Sequence, residues 1–351
     1  MAALPPPAQI RRAALEVKEG TMLVTRPYRE SRLRLILGWL LRAILGSTAL
    51  AFVLHFIDLR EVGQRIQDAN RVVLTAAFAL SILQYAVFAV RWRWLALCAN
   101  ARLPIRSAII GNLELAFFTQ LVPTALAGDA IRIVRAQRAG VSLSQSIASV
   151  SLDRIVGLAT VVFLTPLLLI AAPHSALDQR LLLVIILLPF VFAVGLFVLY
   201  FLSPVLTTFL PDKRLVRLCI TISEAFRTLV GNLPIGALAV VASIAGNVLA
   251  AAALSCVGLA IGIPINILLS LPIVCLMTLA VFVPVSIGGW GVREGTALVV
   301  LSAFSISGKD AVTLSILYGL VGTAVGIVGG ITWVMLGYRK PRYQSGQKMA
   351  G

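Results

Sequence analysis

Two arginines stand at matching places behind two breaks in the apolar sequence. The first is Arg132, in Pro123-Thr-Ala-Leu-Ala-Gly128-Asp129-Ala-Ile-Arg132. The second is Arg293, in Pro284-Val-Ser-Ile-Gly-Gly289-Trp290-Gly291-Val-Arg293. In both, Gly follows Pro by five residues and Arg follows it by nine. Proline stops a helix and frees carbonyls. Glycine lets backbone N–H groups face a cavity, and the helix that starts there points its positive dipole end at the same place. An arginine one turn into that helix adds a fixed cation whose fork fits phosphate. The chemistry these residues suit is reception of an anionic headgroup at two corners built around Pro123 and Pro284. Gly128, Gly289 and Gly291 form the corners and Trp290 lies between two glycines. Asp129, Glu114 and Glu294 hold the arginines or select for cationic headgroups.

Ionisable groups at membrane depth cost roughly 2.5–3.5 kcal/mol each, so they persist where they pair or line a wet cavity. The plainer alternative is pairing within the protein, with Asp129 meeting Arg132 at i,i+3 or Glu114 meeting one of the arginines. Asp153 and Arg154 are two more charges that open an apolar run.

The elements that position these residues follow from composition. Of 351 residues, 59% are apolar and 13% charged, more apolar surface than a soluble fold can hide. The sequence predicts an all-α polytopic membrane protein. Full spans are expected near 33–55, 72–97, 146–172, 181–202, 235–260 and 311–337, with shorter runs at 107–123 and 266–286 ending at the breaks and a short piece at 296–304. The eight hydrophobic segments thus comprise six spans and two re-entrant broken helices. A cytoplasmic tail covers 1–32, the membrane domain 33–337 and a basic tail 338–351.

The net charge of +16 gathers outside the spans, in the first 34 residues, the central loop and the tail. Basic loops stay in the cytoplasm, which sets both termini inside and makes the two short runs re-entrant from opposite faces. Three full crossings separate them, an inverted repeat of the kind found in secondary transporters. A weaker echo lays Val141-Ser142 and the run to Gly157 over Ile306-Ser307 and the run to Gly322, at an offset four residues larger. Basic charge that only flanks spans argues against nucleic-acid binding.

Arg91-Trp92-Arg93-Trp94 reads as an interfacial belt, with Trp39 and Trp333 as further interface anchors. Stretch 213–231 reads as an amphipathic helix on the inner membrane surface. Cys98, Cys219, Cys256 and Cys275 lack metal-ligand spacing and read as packing residues. No GxxxxGK[ST], HExxH or GxSxG occurs, and the two histidines, His55 and His174, have no ligand partners, so neither cofactor, metal nor catalysis is expected.

The segments Leu121-Val-Pro-Thr-Ala-Leu-Ala-Gly-Asp-Ala-Ile-Arg132, Gly140-Val-Ser, Leu152-Asp-Arg154-Ile and Pro284-Val-Ser-Ile-Gly-Gly-Trp-Gly-Val-Arg-Glu-Gly295 resemble the lysylphosphatidylglycerol synthase transmembrane-region family, flippase-like integral membrane proteins. The likeness covers roughly 33–337. It implies a module that moves an aminoacylated phospholipid between leaflets, or that accompanies glycolipid or hopanoid synthesis. With the sequence ending at Gly351, it implies the translocating half without the synthase. Where the family carries a Tyr-Arg pair in its last span, this chain has Tyr318-Gly319.

The expected function is that of a flippase-like translocase in a bacterial inner membrane, moving a phospholipid, aminoacyl-phospholipid or lipid-linked glycan precursor. The alternative is a non-catalytic accessory subunit of a lipid-synthesising enzyme. A lipid-dependent glycosyltransferase is the minor third.

Overall fold

The computed structural model describes residues 63–65, 67–121, 126–171, 178–209, 214–281, 291–304 and 306–337, all within one compact unit, Ala43–Gly351. The span expected at 33–55, both tails, Trp39, His55, His174, Pro123, Pro284, Gly289 and Trp290 lie outside them. Ten helices follow in order: α1 (Arg71–Cys98), α2 (Ile105–Leu121), α3 (Leu126–Arg138), α4 (Leu143–Ala171), α5 (Gln179–Phe209), α6 (Arg214–Gly231), α7 (Leu233–Ala260), α8 (Ile267–Val281), α9 (Val292–Ser302) and α10 (Gly308–Gly337). Five of them, α1, α4, α5, α7 and α10, are long and apolar enough to cross a membrane, and they match the five expected spans in the described residues. The chain is a polytopic all-α membrane protein.

The repeat is visible in the helices themselves. Helices α1 to α4 measure 28, 17, 13 and 29 residues, and α7 to α10 measure 28, 15, 11 and 30. Their punctuation matches as well. Asn70 and Asn232 cap α1 and α7 by accepting backbone N–H groups. Both helices end in a left-handed residue, Asn100 (φ 54°) and Gly262 (φ 74°). The next N–H then reaches back five residues, Ala101 to Ala96 and Ile263 to Gly258, which is a Schellman closure. The downstream echo is structural too. Val141 N–H bonds Ala136 and Ile306 N–H bonds Leu301, each closing the short helix, and Ser142 and Ser307 then cap α4 and α10 through the N–H groups of Gln145 and Asp310.

The two repeats run in opposite directions. Asn70, at the start of α1, donates its N–H to Ala260 at the end of α7, while Arg91 near the end of α1 bonds Ser243 in the first half of α7. Each broken pair also begins and ends on one face. Gln145 at the start of α4 bonds the Asn100 carbonyl at the end of α1, so α2 and α3 dip in and return. Gly128 of α3 lies against Leu115 and Thr119, and Arg135 farther along reaches Glu114, which makes the pair antiparallel. At the opposite face Arg65, just before α1, pairs with Asp310 of α10, and α7 ends beside α1's start, so α8 and α9 also leave and return on one side. A 17-residue helix is about 25 Å long, shorter than a hydrocarbon core of about 30 Å.

Close packing holds the repeats to each other. A Cβ on Gly329 of α10 would lie 1.8 Å from the Leu113 carbonyl of α2, and one on Gly330 would strike Phe117 at 2.8 Å. Small residues permit this approach where no hydrophobic force separates helix from lipid. Helix α5, between the repeats, is the most lipid-like surface. Phe190, Val191, Val194 and Phe197 are each about two-thirds exposed, as side chains facing acyl chains should be.

Helix α6 is amphipathic, but its apolar face is not free for a membrane surface. Ala225, Phe226 and Leu229 are buried against Leu95 of α1, Leu152 of α4 and Leu199 of α5, leaving Arg217, Glu224 and Arg227 outward. The expected surface helix is therefore part of the fold, because apolar side chains of α1, α4 and α5 offer it a drier partner than the interface.

Candidate functional site

Charge is concentrated inside the first repeat. Asp153 of α4, 3% exposed, accepts from Arg91 Nε of α1 and from Arg132 Nη2 of α3, both at 2.8 Å. Arg91 also donates to Ser243 Oγ of α7 at 3.0 Å. One carboxylate thus ties three helices, and a hydroxyl brings in the fourth. Asp129, one turn ahead of Arg132, lies 3.7 Å from it and accepts from Arg154 Nε at 2.8 and 3.0 Å. The expected i,i+3 pairing is present and is the longer of Asp129's two ion pairs. Glu114, fully buried on α2, takes both Nε and Nη2 of Arg135. Its partner is therefore Arg135 and not the arginine of the break.

Arg132 is 1% exposed. Its guanidinium sits 4.2 Å over the Trp92 ring, and Trp92 is held by donating to Ser149 Oγ at 3.3 Å. Its Nε is buried without a hydrogen-bond partner among the described residues. A buried donor left unmade costs more than an average bond gains. Arg91 and Trp92 are accordingly interior residues, contrary to the interfacial belt read from the sequence. Arg91 sits seven residues before the end of α1, about 10 Å inside it, and the carboxylate of Asp153 is what draws it inward. Trp94 is half-buried, Arg93 is exposed, and Trp333 is half-buried with its ring edge-on to Phe118.

The second repeat keeps its charges at the start of α9. Arg293 donates through Nε and Nη2 to Glu294 Oε1 at 3.0 and 2.6 Å. Glu294, fully buried, also takes the Gly291 N–H at 2.6 Å and Ser315 Oγ at 3.4 Å. Gly291 has φ +85°, which a side chain would strain, and its N–H is committed to the helix start rather than to open space. Gly128 has a packing reason of its own: a Cβ there would meet Leu115 at 2.3 Å.

Tyr85 of α1 and Tyr318 of α10 are both half-buried, and Tyr318 packs against the buried core that α1 shares with α7, α8, α9 and α10. At the offset that superposes the Ser142 and Ser307 caps, Asp153-Arg154 falls on Tyr318-Gly319. Gly319 leaves room for the incoming guanidinium, since a Cβ there would lie 2.0 Å from Arg293 Nη2. Tyr85, Arg91, Asp153, Ser243 and Gly319 were not singled out as site residues from the sequence. The cap-to-cap offset is the signal that pairs position 154 with position 319; nothing local marks Tyr85 or Ser243. The arrangement is one of buried ion pairs and hydrogen bonds that anchor facing helices to one another.

A family model described as lysylphosphatidylglycerol synthase TM region matches residues 39–330. No curated protein matches the chain.

Proposed function

The chain belongs to the lysylphosphatidylglycerol synthase transmembrane-region family, and from that premise we propose that it is a lipid translocase, carrying an anionic lipid headgroup between leaflets of a bacterial inner membrane. The observation that supports this most is the inverted pair of re-entrant units, each bringing an arginine-carboxylate group to an interior seam between helices. A seam of this sort offers a polar headgroup partners at a depth where lipid offers none. Arg132 and Arg293 are the proposed phosphate contacts, with Asp129, Glu114 and Glu294 fixing or tuning the cations. Among the described residues, six exposed arginines (93, 102, 106, 138, 217 and 227) cluster at the end where α1 and α3 finish, against a single exposed Glu224. By the positive-inside rule that end faces the cytoplasm.

The test is leaflet-to-leaflet movement of labelled lipids in liposomes holding the purified protein. Headgroup-selective movement that is lost in Arg132→Gln/Arg293→Gln, with the variant still folded by its melting curve, supports the reading. Unchanged movement in that variant refutes the residue assignment. A second reading, a non-catalytic accessory subunit for a lipid-modifying enzyme, is favoured by the outward charged face of α6. Absence of lipid movement by the pure protein, with an enzyme co-purifying, would select it.

A further inference from the structure

Gln120 is the penultimate residue of α2, and its side chain lies along the middle of α10. Its Cγ is 3.5 Å from where a Cβ on Gly326 would stand, and its Nε2 is 3.9 Å from where one on Gly322 would. The amide therefore runs toward Gly319, which lies on the same face about one turn farther on, three residues giving about 4.5 Å along the axis. Gly319 is where the Arg293 guanidinium of α9 lies. One residue from each re-entrant unit thus reaches neighbouring turns of the same helix. Gln120 Oε1 is buried there, with no hydrogen-bond partner among the described residues. Thr323, next to Gly322, does not serve it, because its hydroxyl donates to the Gly319 carbonyl. A buried acceptor left unmade is costly, and a donor that relieves it has to arrive close to a guanidinium.

We propose that Gln120 selects the headgroup, accepting a hydrogen bond from an O–H or N–H that the headgroup carries beyond its phosphate. This rests on the translocase reading above, in which Arg293 takes the phosphate, and it adds a second contact about one helical turn away. The spacing suits a hydroxyl or an ammonium on the alcohol esterified to that phosphate. The hydroxyls of a glycerol or sugar and the ammonium of an amino alcohol share this chemistry. Because the amide is neutral, it accepts from either without adding a charge at membrane depth. A headgroup whose polar end is methylated leaves the acceptor buried and unmatched, and the site discriminates against it for that reason.

Charge-matched lipid pairs test this. The full-length protein in detergent is challenged, by native mass spectrometry, with phosphatidylglycerol against phosphatidylmethanol and with phosphatidylethanolamine against phosphatidylcholine. Within each pair the acyl chains, concentration and net charge are the same, and only one member carries a donor. That member should be retained about tenfold over its partner in at least one pair, the discrimination expected for one buried hydrogen bond made rather than lost. The pair that shows it identifies the donor as hydroxyl or ammonium. Gln120→Met keeps the length of the side chain and removes the amide, so it should bring the two members level. Gln120→Glu keeps an acceptor oxygen and should keep the preference. Without lipid, Gln120→Met should melt no lower than wild type, since no hydrogen bond within the protein is lost. A lower melting temperature would show the amide serving the fold and overturn the proposal. Equal retention within both pairs, or a preference that Gln120→Met leaves intact, would overturn it as well. None of these results touches translocation itself, because the pairs report which headgroup binds; lipid movement in liposomes tests the other claim separately.

Discussion

In the first broken unit Arg132 reaches out of α3 to a carboxylate on α4, and Arg91 reaches the same carboxylate from α1. In the second, Arg293 turns to the residue beside it, Glu294, whose other oxygen closes the start of its own helix. The backbones are alike to within two residues per helix, and the caps are the same. What differs is how charge is kept at depth. The first unit spreads its ion pairs over four helices; the second pairs Arg293 with the adjacent Glu294, and the neighbouring helix has a glycine where a side chain would meet Arg293. A network that depends on distant partners couples helix positions to charge, whereas a local pair moves with its own helix. The first unit is thus tied by long-range pairs and the second by a pair adjacent in sequence.

The largest effect should come from Asp153→Asn, which strips the shared anion from two buried arginines and costs about 3–5 kcal/mol. It is read as a fall in melting temperature of the purified protein. Glu294→Gln should cost less, because Gln still accepts the Gly291 N–H; an equal or larger loss would break the contrast between network and local pair. Next comes Gly319→Ala, whose Cβ would enter the space of Arg293 and should cost about 1–3 kcal/mol as overpacking. Gly157→Ala is the matched control. A Cβ there would lie 3.2 Å from the Arg91 guanidinium and asks for a shift of only a few tenths of an ångström, so its loss should be smaller. Ser142→Ala and Ser307→Ala should each cost about 1 kcal/mol as lost helix caps. Near-equal melting shifts are expected, since this is the feature that the two units share. Labelling of Cys219, exposed on α6, changes no stability at all. A membrane-impermeant maleimide should reach it only after the cells are opened, and labelling of intact cells would reverse the orientation assigned to both units.

Among the described residues, the helices and their inversion were legible because each has a local or compositional cause. Apolar runs of span length require helices in lipid. Helices α2 and α8 stop short of span length at Leu121 and Val281. The match of Val141-Ser142 with Ile306-Ser307 was visible as an echo and gained its meaning once both serines were seen capping a helix. Arg91 was misread because a Trp-flanked arginine near a helix end looks interfacial unless its partner is known, and that partner lies 62 residues away.

By itself, then, the sequence determined which described stretches form helices long and apolar enough to cross a membrane, and that the two halves oppose each other. Hydrophobicity and backbone chemistry act residue by residue, and they leave a periodic trace. The tertiary structure decided which arginine meets which carboxylate, that α6 joins the core, and that Gly319 receives Arg293. Those outcomes depend on the register of helices packed across the repeat, where a shift of one turn would exchange every partner.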